Sequence, residues 1–174
     1  MGVRWYNHAV VILRADALEF ISRSAEQTRR LGMRLGAWLQ PGDVLALEGD
    51  LGGGKTTFVQ GLVAGWGSAE HVVSPTFVLV NLYRRDDGAP FYHMDAYRLS
   101  GPAEALDLDI AAMWEEAPLV VEWADIIAEA LPEERLTIRF AWLGELQRTL
   151  AFLPTGERPR RLVRRLRAAI LRGL

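Results

Sequence analysis

Val44-Leu45-Ala46-Leu47-Glu48-Gly49-Asp50-Leu51-Gly52-Gly53-Gly54-Lys55-Thr56 is the stretch whose reading decides the fold. The apolar run Val44 to Glu48 has strand character, and Thr57 to Trp66 reads as the helix that follows the glycine turn. The turn satisfies G-x-x-x-x-G-K-[ST]. A backbone that wraps closely around phosphate oxygens needs positions at positive φ without side chains. The N–H groups of such a wrap, with those of the next helix N-terminus, form an anion cradle. Gly49, Asp50, Leu51, Gly52, Gly53, Gly54 and Thr57 supply the wrap, Lys55 reaches the β- and γ-phosphates, and the Thr56 hydroxyl ligates Mg²⁺. A chance match arises in about one chain of this length in 200, and here a strand and a helix flank it as they should. The chain has nineteen arginines and one lysine, Lys55, at the place where a compact ammonium fits and a guanidinium fork does not.

Moving outward, Ser24-Ala25-Glu26-Gln27 has capping-box form and starts a helix carrying Leu31, Leu35, Trp38 and Leu39, which Pro41-Gly42 ends. Ala17 to Ile21 reads as a short strand. After the loop helix, Phe77 to Tyr83 and Phe91 to Tyr97 read as strands around the turn Asp86-Asp87-Gly88. Pro102 to Leu108 reads as a short acidic helix, and Pro118 to Val121 as a buried strand ending at Glu122-Trp123. Ala124 to Leu131 reads as helical, and Leu136 to Trp142 and Thr149 to Leu153 as a late antiparallel pair. Strands alternating with helices define an α/β class.

The 174 residues suit one domain, with residues 1–15 as a loosely held extension. Half the residues are hydrophobic and 24% charged, an ordinary globular balance. The absence of cysteine excludes disulfides, thiolate zinc sites and cysteine nucleophiles. The run Ala9 to Leu13 is too short for a signal core or a membrane span, so a cytoplasmic location without membrane attachment is expected. A net charge of −2 argues against a chain that binds nucleic acid over its whole surface. Residues 158–174 form a basic segment, with seven arginines and no acid from Arg158 to Arg172. Their spacing predicts a helix, read either as a docked terminal helix with a solvated face or as a contact for tRNA or an acidic partner.

A guanine-reading Asn-Lys-x-Asp cannot exist in a chain whose only lysine is Lys55, so ATP is the favoured nucleotide. Phosphoryl transfer needs an acid near Mg²⁺. Glu122, at the end of the apolar run Leu119-Val120-Val121, stands where such an acid belongs, because ligands sit at the carboxyl ends of parallel strands. Asp95 is the second candidate acid, and Thr76, after Ser74-Pro75, a candidate γ-phosphate or Mg²⁺ sensor. Arg98 reads as a charge stabiliser or a structural ion-pair partner, His93 as a packed strand histidine, and Trp123 as either core or site lining.

These pieces together resemble the bacterial TsaE (YjeE) family of tRNA threonylcarbamoyladenosine biosynthesis ATPases. The matching segments are Gly49 to Phe58, Ser74-Pro75-Thr76-Phe77-Val78-Leu79-Val80-Asn81, His93-Met94-Asp95-Ala96-Tyr97-Arg98-Leu99 and Val121-Glu122-Trp123, within a resemblance spanning about residues 17 to 153. The family pattern usually has alanine at Gly53 and threonine at Val78. The resemblance implies a P-loop NTPase three-layer sandwich with a mixed central sheet. It implies Mg²⁺ and ATP as ligands, with slow, partner-dependent hydrolysis. Family members act with TsaB and TsaD, which transfer threonylcarbamoyl to adenosine 37 of tRNAs reading ANN codons, and reset that pair between turnovers. Carried over by motif, Lys55 and Thr56 hold phosphate and Mg²⁺, Glu122 belongs to the Mg²⁺ shell, Asp95 is an acid needed for hydrolysis, and Thr76 lies in a switch-like loop. The alternatives are a small-molecule P-loop kinase, which needs an acceptor pocket and usually an arginine-bearing lid for which Arg84 and Arg85, near a turn, could be mistaken, and a non-enzymatic nucleotide-gated binding module.

Overall fold

Period-two alternation in the strand β2 (Val44–Glu48) builds two cores at once. Leu45 and Leu47 point to one side of the sheet, Val44 and Ala46 to the other. The structure, a computed structural model, describes residues 14–144 and 147–173. The apolar run Ala9 to Leu13, and all but the last two residues of the expected extension, lie outside the described residues. The other strands are β1 (Leu18–Ser22), β3 (Val80–Arg84), β4 (Pro90–Asp95), β5 (Leu119–Glu122), β6 (Arg135–Trp142) and β7 (Arg148–Thr155). They form one sheet in the order β1-β7-β6-β2-β5-β4-β3. β2 pairs in parallel with β5 and β6, and β4 with β5, whereas β3 and β7 run antiparallel to their neighbours.

One face packs on α1 (Ala25–Gly36), α2 (Lys55–Trp66) and α5 (Glu157–Leu171), through Leu31, Leu35, Phe58, Leu62, Leu162 and Leu166. The other packs on α3 (Pro102–Asp107), α4 (Ile110–Glu116) and a 3₁₀ segment, Ala124–Ala130, through Ala105, Ile110, Ala124 and Ile127. This is a three-layer sandwich with a mixed sheet, as expected. Among the described residues no helix is long and apolar enough to cross a membrane.

Several element ends differ from the sequence reading. α1 stops at Gly36, because Trp38 and Leu39 bond three residues back, to Leu35 and Gly36, in a closing turn. β3 begins at Val80: the N–H groups of Val78 and Leu79 both bond the Pro75 carbonyl, and Leu79 takes φ 67°. β4 ends at Asp95, whose side chain accepts the Tyr97 N–H. α4 has no counterpart in the sequence reading. It is short and buries only Ile110 fully, so its periodicity is faint.

The basic tail is a helix docked on the core, with Leu162, Val163 and Leu166 buried. Arg158 donates to both oxygens of the buried Asp43 at 2.9 and 2.7 Å and to the Trp38 carbonyl. Arg160 bonds Asp16, Arg164 bonds Glu157, Arg167 bonds the Ala17 carbonyl, and Arg165 stacks on Trp38. Hydrogen bonds from Arg14 and Arg160 hold the Asp16 carboxyl down at about 2. Five of the seven arginines are thus engaged within the chain, which is the docked-helix reading of this segment.

α1 and α2 touch backbone to backbone. A Cβ at Gly36 would lie 2.1 Å from the Leu62 carbonyl oxygen, and one at Gly61 would lie 2.0 Å from that of Arg29. Gly32 and Gly65 meet the carbonyls of Phe58 and Met33 as closely, at 2.3 and 2.0 Å. Helix propensity alone makes a helical Gly→Ala change stabilising by about 1 kcal/mol. The packing predicts the opposite sign: Gly36→Ala and Gly61→Ala each lower stability by about 1–3 kcal/mol, read as a lower midpoint in urea unfolding. A raised or unchanged midpoint would contradict the close contact.

Candidate functional site

The glycine turn between β2 and α2 is shaped by what surrounds it. Gly49 has φ 131°, and a Cβ there would lie 2.4 Å from the Phe140 carbonyl oxygen. Gly54, the residue that caps α2, has φ 100°, and no side chain caps the helix, so the first turn's N–H groups are available to an anion. Gly53 is not at positive φ. The alanine usual in the family would sit 3.0 Å from the Asp50 carbonyl oxygen, which has to yield by a few tenths of an ångström.

The Lys55 ammonium folds back over its own loop. It donates to the carbonyls of Gly49 at 2.5 Å and Asp50 at 2.9 Å, and lies 3.9 Å above the centre of the Trp123 ring. Burial lowers its pKa from the ordinary lysine value, while the carboxylates of Glu122 and Asp95 act to raise it. Trp123 itself sits at φ 57°, a conformation uncommon for a bulky residue, and packs against Tyr97 with ring centroids 5.0 Å apart. It lines the cleft and also packs, half-buried, against the core on the α3 face of the sheet.

The acids come from neighbouring parallel strands. Asp95 and Glu122 are in register across β4 and β5, and Glu122 is in register with Leu47 of β2. Both are almost wholly buried, at 2% and 3% exposure. The Thr56 hydroxyl lies 3.0 and 3.1 Å from the two Glu122 oxygens. His93 Nε2 lies 2.9 Å from Glu122 Oε1, and because a carboxylate only accepts, this ring nitrogen carries the proton. Asp95 Oδ2 accepts from Ser74 Oγ at 2.8 Å and Thr76 Oγ1 at 2.9 Å, and Oδ1 accepts the Tyr97 N–H at 2.9 Å.

A cleft of about 340 Å³ joins these groups. Leu51 to Thr57 line one wall, and Thr76, Asp95 and Glu122 the other. Gly49 and Asp50 stand behind, their carbonyls holding Lys55. A larger cleft, about 460 Å³, surrounds the Arg158–Asp43 pair at the opposite end of β2 and has none of these groups.

His93 is more than packing. As a buried donor to Glu122 it belongs to the site, and the spacing His93-x-Asp95 on a strand was the signal, since residues two apart share a face. Ser74 joins it through Asp95. Arg98 makes no ion pair among the described residues; its guanidinium rests 4.5 Å above the Phe77 ring. Arg84 bonds the Gly88 carbonyl, and Arg85 pairs with Asp87 and stacks on Trp66. Both belong to the turn at the far end of β3 and β4 from Asp95, so neither is placed as a lid over the phosphate loop.

The residues fit a Mg-nucleotide. The glycine wrap, the open helix N-terminus and the lysine suit phosphates, and the Thr56 hydroxyl and Glu122 carboxylate are the hard oxygen donors that Mg²⁺ takes beside phosphate and water. Among the described residues no three His, Asp or Glu side chains form a metal cage of their own.

The family model for threonylcarbamoyl adenosine biosynthesis protein TsaE matches residues 22–150. The chain is 41% identical over 141 residues to the tRNA threonylcarbamoyladenosine biosynthesis protein TsaE of Bacillus subtilis, covering 81% of this chain and 88% of that one. It is 37% identical over 131 residues to the TsaE of Treponema pallidum, covering 75% and 96%. The crystal structure of Bacillus subtilis YdiB superposes with a TM-score of 0.73 at 36% identity, covering 88% of this chain and 96% of the other. With a phosphate loop, paired strand carboxylates and this match in hand, the chain belongs to the TsaE family.

Proposed function

We propose that this chain is an ATPase that serves threonylcarbamoyladenosine formation in tRNA. The observation that carries the reading is the juxtaposition of Lys55, Thr56 and Glu122 at the mouth of β2 and β5, in a chain of this family. Its relatives' names supply the process. By the resemblance of its motifs, the protein works with TsaB and TsaD and resets them between turnovers, and tRNA is met through them.

On this reading Thr56 and Glu122 hold Mg²⁺, which supplies charge neutralisation at the β- and γ-phosphates. Lys55 exchanges the carbonyls of Gly49 and Asp50 for phosphate oxygens, and the loop N–H groups take the remainder. Asp95 fixes the Ser74–Thr76 turn at the γ-phosphate end, so that the Thr76 hydroxyl meets the terminal phosphate or its metal. His93 orients Glu122 from behind, a positioning role.

ATP hydrolysis by the purified protein, alone and with TsaB, TsaD and tRNA, tests the reading. Slow basal phosphate release should rise with the partners and fall by about 100-fold or more in Lys55→Ala and Glu122→Gln. ATP consumption only in the presence of a small acceptor would sink it. Asp95→Asn should reduce hydrolysis more than ATP binding, because the wrap and Lys55 are untouched. His93→Leu should raise the Mg²⁺ concentration needed for half-maximal hydrolysis by about 10- to 100-fold, with His93→Gln, which restores a donor, recovering part of it. An unchanged Mg²⁺ requirement in His93→Leu would leave this histidine with packing alone.

A further inference from the structure

The sheet order gives the cleft a polarity. The loop leaves β2, which lies between β5 and β6. Glu122, Asp95 and Thr76 all lie on the β5–β4 side, so on the reading above the metal and the terminal phosphate belong there. The nucleoside end of the same ligand then faces β6 and β7. Two side chains stand on that side. Trp142 of β6 and Arg148 of β7 are direct cross-strand partners at the end of that ladder. They flank the loop closely: a Cβ at Gly52 would lie 3.4 Å from Trp142 Cζ2, and one at Gly54 would lie 3.2 Å from Arg148 Cδ and 3.3 Å from Arg148 Nε.

Arg148 is unlike the engaged arginines of α5. Its Nε is buried and has no hydrogen-bond acceptor among the described residues, and its guanidinium makes no ion pair among them. The guanidinium rests 4.9 Å above the centre of the Trp142 ring, an aromatic contact that orients the fork without consuming its N–H groups. Arg148 also lines the cleft itself. A permanently charged, half-buried guanidinium, whose Nε has no acceptor among the described residues and which is held against a phosphate loop, matches an anionic oxygen of the ligand.

We infer that Arg148 is a further nucleotide-binding residue, whose Nε donates to the α-phosphate from the β7 edge, with Trp142 holding the guanidinium in place. The inference rests on the cleft being a nucleotide site. Gly54 then serves twice, since besides adopting positive φ it leaves the room in which the arginine reaches the ligand.

Titration calorimetry of the full chain with Mg-ATP, Mg-ADP and Mg-tripolyphosphate tests it, comparing wild type with Arg148→Met and Arg148→Lys. Arg148→Met keeps the aliphatic stem beside Gly54, so its thermal midpoint without ligand should match wild type. Its affinity for all three ligands should fall by about 10- to 100-fold. Arg148→Lys keeps the charge without the Nε donor and should lose part of the affinity. Wild-type affinity in either variant overturns the inference and leaves the nucleotide site standing. A loss confined to ATP and ADP, with tripolyphosphate unaffected, places the arginine on the nucleoside and overturns the α-phosphate assignment. Wild-type protein without affinity for ATP removes the nucleotide reading itself.

Discussion

The parallel register of β2, β5 and β4 is the constraint on which the site depends. It sets Leu47, Glu122 and Asp95 in one row, on the face that carries α2. A slip of one residue in β5 would turn Glu122 to the opposite face and leave Thr56 without its acceptor. Two carboxylates buried side by side are costly, and the surroundings compensate both. Glu122 receives Thr56 and His93; Asp95 receives Ser74, Thr76 and the Tyr97 backbone. The Lys55 ammonium adds a nearby positive charge, felt in the opposing pulls on its own pKa.

The two walls of the cleft are made differently. The loop wall is nearly all main chain, with the Lys55 cation from the loop itself and Arg148 beside it, and its shape follows from where a Cβ is forbidden. The acid wall is made of side chains on strand ends and one turn, and it carries local strain at Leu79 and Trp123, both at positive φ without being glycine. Leu79 uses that conformation to give its carbonyl to the Asp95 N–H, and Trp123 to place its ring beneath Lys55.

Much of this is legible in the sequence, because the strongest signals are local. The glycine turn, the Ser24 cap, which does accept from the Gln27 N–H, and the apolar run ending at Glu122 each declare themselves within a few residues. Asp95 and Thr76 are candidates from their own surroundings, and the family pattern gives them roles. What the sequence obscures is long-range. His93 resembles any strand histidine until β4 and β5 are paired. Arg148 is one of nineteen arginines until the hairpin lays it against Gly54. Phe77 and Val78 have strand composition, so the sequence reading starts β3 too early, although both residues are exposed in a turn organised by the Pro75 carbonyl.

The glycine contact between α1 and α2 has a mechanical side. Gly32 and Gly36 on one helix, and Gly61 and Gly65 on the other, recur at four-residue spacing, so the two backbones interlock over more than one turn. Interlocked backbones have no side-chain rotamers with which to accommodate sliding. α2, whose first turn has no side-chain cap, is thereby clamped to its neighbour as one stiff body. The other wall is held differently: the turn from Ser74 to Leu79 hangs on the bonds of the Ser74 and Thr76 hydroxyls to Asp95 and presents Phe77 and Val78 to solvent. One wall of the cleft is an anvil of interlocked backbone, and the other is a jaw hung on side-chain bonds at the surface.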